Sequence, residues 1–292
     1  MQMAPPRQMA ETAIAASVEL SGRAIAADPA LLGTLPPGTA VYLVDTGETA
    51  VADWAAACRA VTAAGLDAVP HIACRRIREA GEISARLAAM AEAGARDALV
   101  IGGDIAVPAG PFPDSLTLLE SGLLARHGFT RYAIAGHPEG SPDIPPAALL
   151  DALHRKIAHA RRSGAAIRLV TQFGFDAGAL IAWAARLAAD GITVPVHAGV
   201  AGPAGMARLL RYAALCGVRA SLSFALKRGT ALASLATGYD PEPHARAIEA
   251  AWRAGRAGHL AQLHVYPFGG IAETARWLAG RGSWPALPRS TR

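Results

Sequence analysis

"RYAIAGHPEGSPDIPPAALLDALHRKIAHARRSGAAIRLVTQF", residues 131–173, contains both kinds of element that decide the fold. Residues 131–137 and 166–173 are short, mainly apolar runs, which are typical of buried strands. The segment between them has apolar residues at helical spacing and ends at Gly164, a residue that commonly terminates helices. The stretch therefore predicts a strand–helix–strand unit, as found in parallel sheets that are covered by helices.

The same alternation continues along nearly the whole chain. Helix-like segments separate eight strand-like runs, which occupy residues 14–20, 40–46, 68–74, 97–103, 131–137, 166–173, 194–200 and 260–268. Eight units in 292 residues average roughly 36 residues each, a length that suits a (β/α)8 barrel of the TIM type. We therefore predict an α/β protein with a single domain over residues 1–292 and a core at about 14–280. A doubly wound open sheet is the alternative, but no G-x-G-x-x-G follows the first strand.

Composition and charge argue against several classes of protein. The chain is 52% hydrophobic, as suits a well-buried globule, yet it has no run of about 18 apolar residues that would predict a membrane span. A secretory signal is not recognisable, and the three cysteines form no C-x-x-C pair, so we expect a cytoplasmic protein. The net charge is +5, but the basic residues are scattered. This pattern argues against nucleic acid as a partner and favours a small anionic substrate.

Polar residues at the predicted strand ends are the candidates for function, because chemistry in such barrels takes place there. Glu19 lies between two apolar residues, so alternation places its carboxyl group inside the barrel, where it needs a partner or a raised pKa. Gln172 is followed by Phe173 and, two residues later, Phe175, an arrangement suited to binding the polar edge of a flat heterocycle. The other candidates are Asp104, His71, His137, His197, His264 and Tyr266.

Two chemistries could use these residues. In the first, Glu19 delivers a proton while Asp104 and neutral polar groups hold a heterocycle. In the second, a metal that activates water is bound by His71, His137, His197 and Asp104. Barrel metallohydrolases commonly carry H-x-H on the first strand, whereas this chain has "SVEL" there. We therefore predict no metal and keep the hydrolase as an alternative.

Six short motifs occur in an order that resembles one known family. They read "VEL", "PHIAC", "VIGGD", "GHPEGSP", "TQFGFD" and "LHVYPF", and the likeness extends over roughly residues 14–275. With these motifs the chain is similar to the methylenetetrahydrofolate reductase family. The resemblance implies a (β/α)8 barrel that carries a flavin, uses a reduced nicotinamide and interconverts 5,10-methylenetetrahydrofolate and 5-methyltetrahydrofolate.

Carried over position by position, the resemblance assigns roles to four residues. Glu19 matches the family's acid, which is thought to transfer a proton when the imidazolidine ring opens to the reactive iminium. Asp104 matches the acid that lies near the folate and modulates this charge. Gln172 matches the carboxamide that holds the pterin edge, and Phe173 lies beside it. We therefore expect a reduced folate as partner, with Glu19 and Asp104 as catalytic residues.

Several positions that hold the flavin in the family are altered in this chain. Gly102 replaces an arginine and His137 replaces a tyrosine, and the remaining departures fall at Ser141, Leu149 and Asp45. Each lost polar contact removes about 1–3 kcal/mol. Losing several of them would weaken flavin binding by orders of magnitude.

The cofactor prediction follows from these departures. His71, His137 and Lys156 are the remaining candidate contacts, and they are too few for a tight FAD site. We therefore expect NADH or NADPH to pass hydride directly to the folate, as the resemblance to short, divergent reductases without flavin implies. A pterin-binding methyltransferase is the other alternative, and a homo-oligomer is compatible with each reading.

Overall fold

The computed structural model describes residues 13–45, 47, 49–141, 144–215, 238–268 and 270–285. Within these residues, eight parallel strands pair in chain order and close into a barrel in which β8 lies next to β1. The strands are β1 (Ala16–Ser21), β2 (Ala40–Val44), β3 (Asp67–Ala73), β4 (Asp97–Ile101), β5 (Arg131–Gly136), β6 (Ala166–Thr171), β7 (Val196–Ala201) and β8 (Leu260–Tyr266). The predicted (β/α)8 barrel is confirmed.

Helices separate the strands along the chain. They are α1 (Gly22–Ala27), α2 (Val51–Ala63), α3 (Ala80–Glu92), α4 (Ser115–Glu120), α5 (Leu123–Arg126), α6 (Pro146–Ser163), α7 (Ala177–Ala189), α8 (Met206–Leu215), α9 (Glu242–Arg253) and α10 (Ile271–Gly280). Short 3-10 turns follow α1 and β3, at Pro29–Thr34 and Cys74–Arg76. In the part of the chain that the structure describes, no helix has both the length and the apolarity needed to cross a membrane.

The unit around α6 has the form that its sequence predicts. Proline occupies the first helical position, where its missing N–H costs nothing, and Gly164 ends the helix with a φ of 70°. Strands β5 and β6 on either side pair in parallel over their whole length. Both strands end earlier than predicted, so His137 and Gln172 lie just beyond them in the loops of the C-terminal mouth.

Alternating side chains of the strands form two different layers. The outward-facing residues pack against the helices in the main apolar core, to which Val18, Val41 and Ile134 contribute. The inward-facing residues form a smaller apolar cluster inside the barrel, made by Tyr42, Val69, Leu99, Ala133 and Val170. The remaining inward positions on β1, β3, β6 and β8 carry polar side chains, and these build the candidate site.

Gly199 on β7 lies where the backbone of β6 comes closest. A Cβ atom at this position would stand 2.4 Å from the carbonyl oxygens of Thr171 and Gln172. The N–H of Gly199 also donates to Thr171 Oγ1 at 2.8 Å. The absence of a side chain at Gly199 therefore lets β7 hold the end of β6 and the start of the loop that carries Gln172.

We expect Gly199→Ala to lower the free energy of unfolding by about 1–3 kcal/mol, because the new methyl group forces the two backbones apart. Urea denaturation measures the change. Gly33→Ala is the matched control, since nothing lies within 4 Å of its added Cβ and such a substitution shifts stability by less than about 1 kcal/mol. Equal stability of the two variants would contradict the close approach.

Candidate active site

Glu19 lies inside the barrel between two histidines. Its side chain is 18% exposed, and Oε1 is 3.5 Å from Nε2 of His71 and 4.0 Å from Nε2 of His264. Burial raises the pKa of Glu19, whereas the nearby His71 acts in the opposite direction. The predicted inward orientation of Glu19 therefore agrees with this arrangement, and its partners come from strands β3 and β8.

Both neighbouring histidines are held in the neutral state. Burial lowers the pKa of His71 to about 4, although the Glu19 carboxyl group opposes the shift. Burial also lowers the pKa of His264 to about 3, and the Arg168 cation adds to the effect. Near pH 7 the two imidazoles are therefore uncharged.

The tautomer of His264 follows from its contact with Ser17. The Ser17 hydroxyl donates to the carbonyl oxygen of Leu263 at 3.3 Å, which leaves its oxygen to accept from Nδ1–H of His264 at 3.0 Å. Nε2 of His264 then carries a lone pair, and like Nε2 of His71 it is buried with no hydrogen-bond partner among the residues that the structure describes. Two candidate acceptors thus face a carboxyl group that favours its protonated form, which is the arrangement of a general acid.

Gln172 is exposed at the mouth, immediately after β6. Its Oε1 accepts from the N–H of Phe173 at 3.1 Å, and its backbone oxygen accepts from Thr171 Oγ1 at 3.0 Å. The hydroxyl group of Tyr266 on β8 donates to the carbonyl oxygen of Thr171 at 2.9 Å. The backbone that carries this carboxamide is therefore held from two neighbouring strands, β7 and β8.

Phe173 departs from the expectation that its ring walls a bound heterocycle. Its side chain is fully buried, because the ring packs 5.3 Å from that of Tyr266 and 5.0 Å from that of Phe268. Phe175 is only half-buried and packs edge-on against Tyr239 at 5.6 Å. Phe173 thus supports the floor beneath Gln172, and Phe175 is the aromatic residue nearer to the surface.

Asp104 lies at the rim of the mouth and is paired with a cation. Its side chain is 76% exposed. Arg76 Nε and Nη2 donate to Oδ1 at 2.9 and 2.7 Å, and Nη2 also donates to Oδ2 at 2.9 Å. The sequence analysis did not identify Arg76, although it lies in the most basic run of the chain, "CRRIRE". Asp104 therefore presents a neutralised charge.

The three residues predicted to contact the cofactor fall into two places. Lys156 on α6 and His137 after β5 lie in one place: burial lowers the pKa of both, and the Lys156 charge lowers that of His137 further. The Asp114 charge raises the pKa of Lys156 and so opposes the effect of burial. His71 does not belong to this group, because it is an inward-facing residue of β3 that faces Glu19.

The alternative metal site is not assembled. Among residues 13–45, 47, 49–141, 144–215, 238–268 and 270–285, no group of three His, Cys, Asp or Glu side chains could hold a metal ion. His197 instead lines a cavity of about 500 Å³ at the opposite, N-terminal mouth of the barrel. His71 and His137 likewise lie in different surroundings, so the three histidines do not converge.

A column of polar residues below Glu19 was missed by the sequence analysis. Asp97 on β4 accepts from Arg168 Nη1 at 3.1 and 3.0 Å, and Arg168 Nε donates to the hydroxyl oxygen of Tyr42 at 2.8 Å. Strict alternation along β2, β4 and β6 would have placed all three inside the barrel. The three residues do not lie at the C-terminal strand ends, where the chemistry of such barrels is expected.

Comparison of the sequence with known families decides which family this is. Residues 36–227 match the family described as methylenetetrahydrofolate reductase. The chain belongs to the methylenetetrahydrofolate reductase family. Gln172, Asp104 and Lys156 fall inside the matched segment, whereas Glu19 and His264 lie outside it and are linked to it by the barrel closure.

Solved structures give weaker likenesses to this member of the methylenetetrahydrofolate reductase family. Two are crystal structures of dihydropteroate synthase from Thermus thermophilus, one in complex with 6HMPPP; they are 16% and 15% identical, with TM-scores of 0.47 and 0.48. Each alignment covers 92% of this chain, and 93% and 94% of those chains. A putative lyase/mutase from Burkholderia cenocepacia J2315 is 14% identical over 92% of this chain and 81% of that chain, with a TM-score of 0.45. These likenesses add nothing to the assignment of function.

Acid should destabilise this reductase-family barrel through its buried histidines. Burial lowers the pKa of His197 from 6.5 to about 3, so the unfolded chain binds a proton below pH 6.5 that the folded chain rejects. The stabilisation is present above that pH and is lost as the pH falls, by about 1.4 kcal/mol per pH unit for each such histidine.

His197→Asn should therefore flatten the pH dependence of the free energy of unfolding between about pH 6.5 and 4. Urea denaturation at a series of pH values measures the slope. The control is His154→Asn, since His154 is exposed on α6 and its replacement should leave the slope unchanged. Equal slopes for His197→Asn and the unmodified protein would show that His197 is not excluded from protonation.

Proposed function

We propose that this protein interconverts 5,10-methylenetetrahydrofolate and 5-methyltetrahydrofolate with NADH or NADPH. Membership of the methylenetetrahydrofolate reductase family supports an oxidoreductase that acts on a folate. The observation that carries the proposal is the Glu19 carboxyl group, buried between two neutral imidazoles and favouring its protonated form. A binding protein has no need of a buried acid, whereas opening of the methylene bridge requires a proton donor.

The chemistry assigned to Glu19 is one proton transfer. The acid protonates the ring nitrogen of the methylene bridge, the C–N bond breaks, and its electron pair stays on that nitrogen. The remaining nitrogen and the methylene carbon form an iminium cation. Hydride then forms a C–H bond at this carbon, the π electrons return to nitrogen, and the product is the methyl group. Oxidation of the methyl form uses the same residues in reverse order.

Gln172 is proposed to hold the pterin ring. Its carboxamide offers one acceptor and two donor hydrogens, which match the alternating donors and acceptors on a pterin edge. The backbone at this position is fixed by β7 and β8, so the side chain projects from a rigid base. Phe175, half-buried beside it, supplies the aromatic surface.

Asp104, neutralised by Arg76, is proposed to lie near the iminium without adding net charge.

The residues that correspond to the family's flavin contacts do not fit a flavin. The Asp45 side chain is only 2% exposed, lies 3.8 Å from Arg86 Nη1 and accepts from the Gly47 N–H at 2.8 Å. The Asp45 carboxylate is therefore already paired within the protein, at a position where the family has a threonine hydroxyl group. Gly102 offers no side chain at all. We infer that hydride passes directly from the nicotinamide to the iminium carbon.

Direct transfer predicts consumption of NADH by flavin-free protein. We expect absorbance at the NADH band to fall when flavin-stripped protein meets methylenetetrahydrofolate under anaerobic conditions, with formation of methyltetrahydrofolate in equal amount. The control is the same mixture with added FAD, which should not raise the rate. Activity only with FAD would contradict direct transfer, and tight folate binding without NADH oxidation in either mixture would favour the methyltransferase alternative.

Glu19→Gln should retain folate binding and lose turnover. The carboxamide has nearly the same shape, but it cannot deliver a proton, so kcat should fall by about 10²–10⁴-fold. Steady-state kinetics and equilibrium folate binding separate the two effects. Glu120→Gln is the matched control, because Glu120 lies on the outer helix α4 beside Arg155 and its replacement should leave kcat unchanged. An unchanged rate in Glu19→Gln would refute the proposed role.

A further inference from the structure

The cation below Glu19 is fixed in place by two neighbours, Asp97 and Tyr42. Arg168 reaches Asp97 through Nη1 and the Tyr42 hydroxyl oxygen through Nε. Its guanidinium carbon also lies 5.4 Å from the centre of the Tyr42 ring. Asp97 has a second cationic partner in Arg131, whose Nε donates to Oδ2 at 3.1 Å. The Arg168 side chain is only 13% exposed, so its charge acts through the protein interior with little screening.

Tyr42 connects this cation with the pocket around Glu19. It is the register partner of Glu19 across β1 and β2. Its ring centre lies 4.3 Å from that of His264 and 6.1 Å from that of His71. Burial raises the pKa of the Tyr42 hydroxyl to about 12, so the ring forms a neutral wall between the guanidinium group and the two imidazoles.

One proton in this pocket can lie on Glu19, on His71 or on His264, and Arg168 acts on the choice between Glu19 and His264. Either Glu19 is a neutral acid beside a neutral His264, or Glu19 is a carboxylate beside an imidazolium cation. The two states have the same net charge, so burial alone selects between them only by the cost of separating charge. A fixed cation that acts more strongly on the imidazole than on the carboxyl group penalises the second state.

Arg168 is such a cation. Burial is the main cause of the lowered pKa of His264 and His197, and the Arg168 charge lowers both further. The Arg168 guanidinium carbon lies 5.4 Å from the centre of the Tyr42 ring, and that centre lies 4.3 Å from the centre of the His264 ring. Among the described residues, the groups that face Glu19 are neutral: His71 from β3, His264 from β8 and Tyr42 from β2, with Ser17 of β1 behind His264. The selection between the two states therefore depends on Arg168.

We propose that Arg168 is a positioning residue that keeps the pocket proton on Glu19 instead of on His264. It does so without contact to the substrate, through its placement beneath Tyr42. The inference rests on the proposed function only for the use of this proton in catalysis, since the location of the proton is a property of the free protein. If the ion pair between Arg168 and Asp97 only stabilised the barrel, loss of Arg168 would leave the ionisation of His264 unchanged.

Arg168→Gln tests the proposal in the protein without substrate. Asp97 keeps Arg131 as a partner in this variant, so no carboxylate is left unpaired. The ionisation of His264 is followed against pH by NMR of protein that carries isotope-labelled histidine. The His264 signal is assigned as the one that disappears in His264→Asn. We expect the midpoint of His264 to rise by about one to three pH units. Arg168→Lys keeps the cation, so its His264 midpoint should return to that of the unmodified protein.

Arg131→Gln is the matched control. It removes the same kind of charge from the same carboxylate, but Arg131 is 45% exposed and does not contact Tyr42 in the described structure. Its His264 midpoint should equal that of the unmodified protein. An unchanged midpoint in folded Arg168→Gln, or an equal shift in Arg131→Gln, would overturn the proposal. If Arg168→Gln does not fold, the double variant Asp97→Asn/Arg168→Gln removes the ion pair without burying a lone charge, and the same shift is expected.

Turnover separates this inference from the proposed function. In Arg168→Gln, protonation of His264 should lower kcat for methylenetetrahydrofolate as the pH falls through the raised His264 midpoint, by about tenfold one pH unit below it, with a smaller effect on folate binding. If the unmodified protein has no such activity, the proposed function fails while the NMR result still decides the location of the proton. A shifted His264 midpoint with unchanged kcat in an active protein would overturn the catalytic use of that proton.

Discussion

The burial of an acid without a cationic partner is the constraint on which the candidate site depends. The carboxyl groups that the described structure encloses differ in their partners. Asp97 is bonded to Arg168 and Arg131, and Glu249 on α9 is bonded to Arg281, so each is compensated by permanent cations. Within the described residues, Glu19 faces two imidazoles, which burial keeps neutral. A carboxyl group in such surroundings favours its protonated form, and this property makes it a proton donor.

Closure of the barrel supplies those surroundings. Glu19 belongs to the first strand and His264 to the last, so the two meet only because β8 pairs with β1. The same closure is reinforced outside the sheet, where the N–H of Ile14 donates to Glu249 Oε1 at 2.6 Å and Trp284 Nε1 donates to the carbonyl oxygen of Ala16 at 2.8 Å. Chain ends that are far apart in sequence therefore hold the strand that carries the acid. Stability of the closure and position of the acid are thus parts of one arrangement.

The residues at the mouth of the barrel and those in its interior differ in their exposure and in their proposed roles. Residues beyond the strand ends, Gln172 and Asp104, are exposed and are available to a ligand. Residues within the strands, Tyr42 and Arg168, are enclosed and act on Glu19 through distance and charge. The aromatic cluster around Phe173 lies between the two regions and holds the loop after β6 against β7 and β8. Changes at the rim can thus alter what is bound while the interior preserves the acid.

The amino-acid sequence by itself determined the barrel, the inward orientation of Glu19 and the place of Gln172 near the C-terminal end of β6, because alternation and strand–helix order are local properties. It did not determine that Phe173 is buried, that Asp104 is paired with Arg76 or that His71 faces Glu19. Those facts depend on which residues stand opposite each other across neighbouring strands. The column from Asp97 through Arg168 to Tyr42 joins three strands that are far apart in the chain, and only the closed tertiary structure sets the distances at which their charges act.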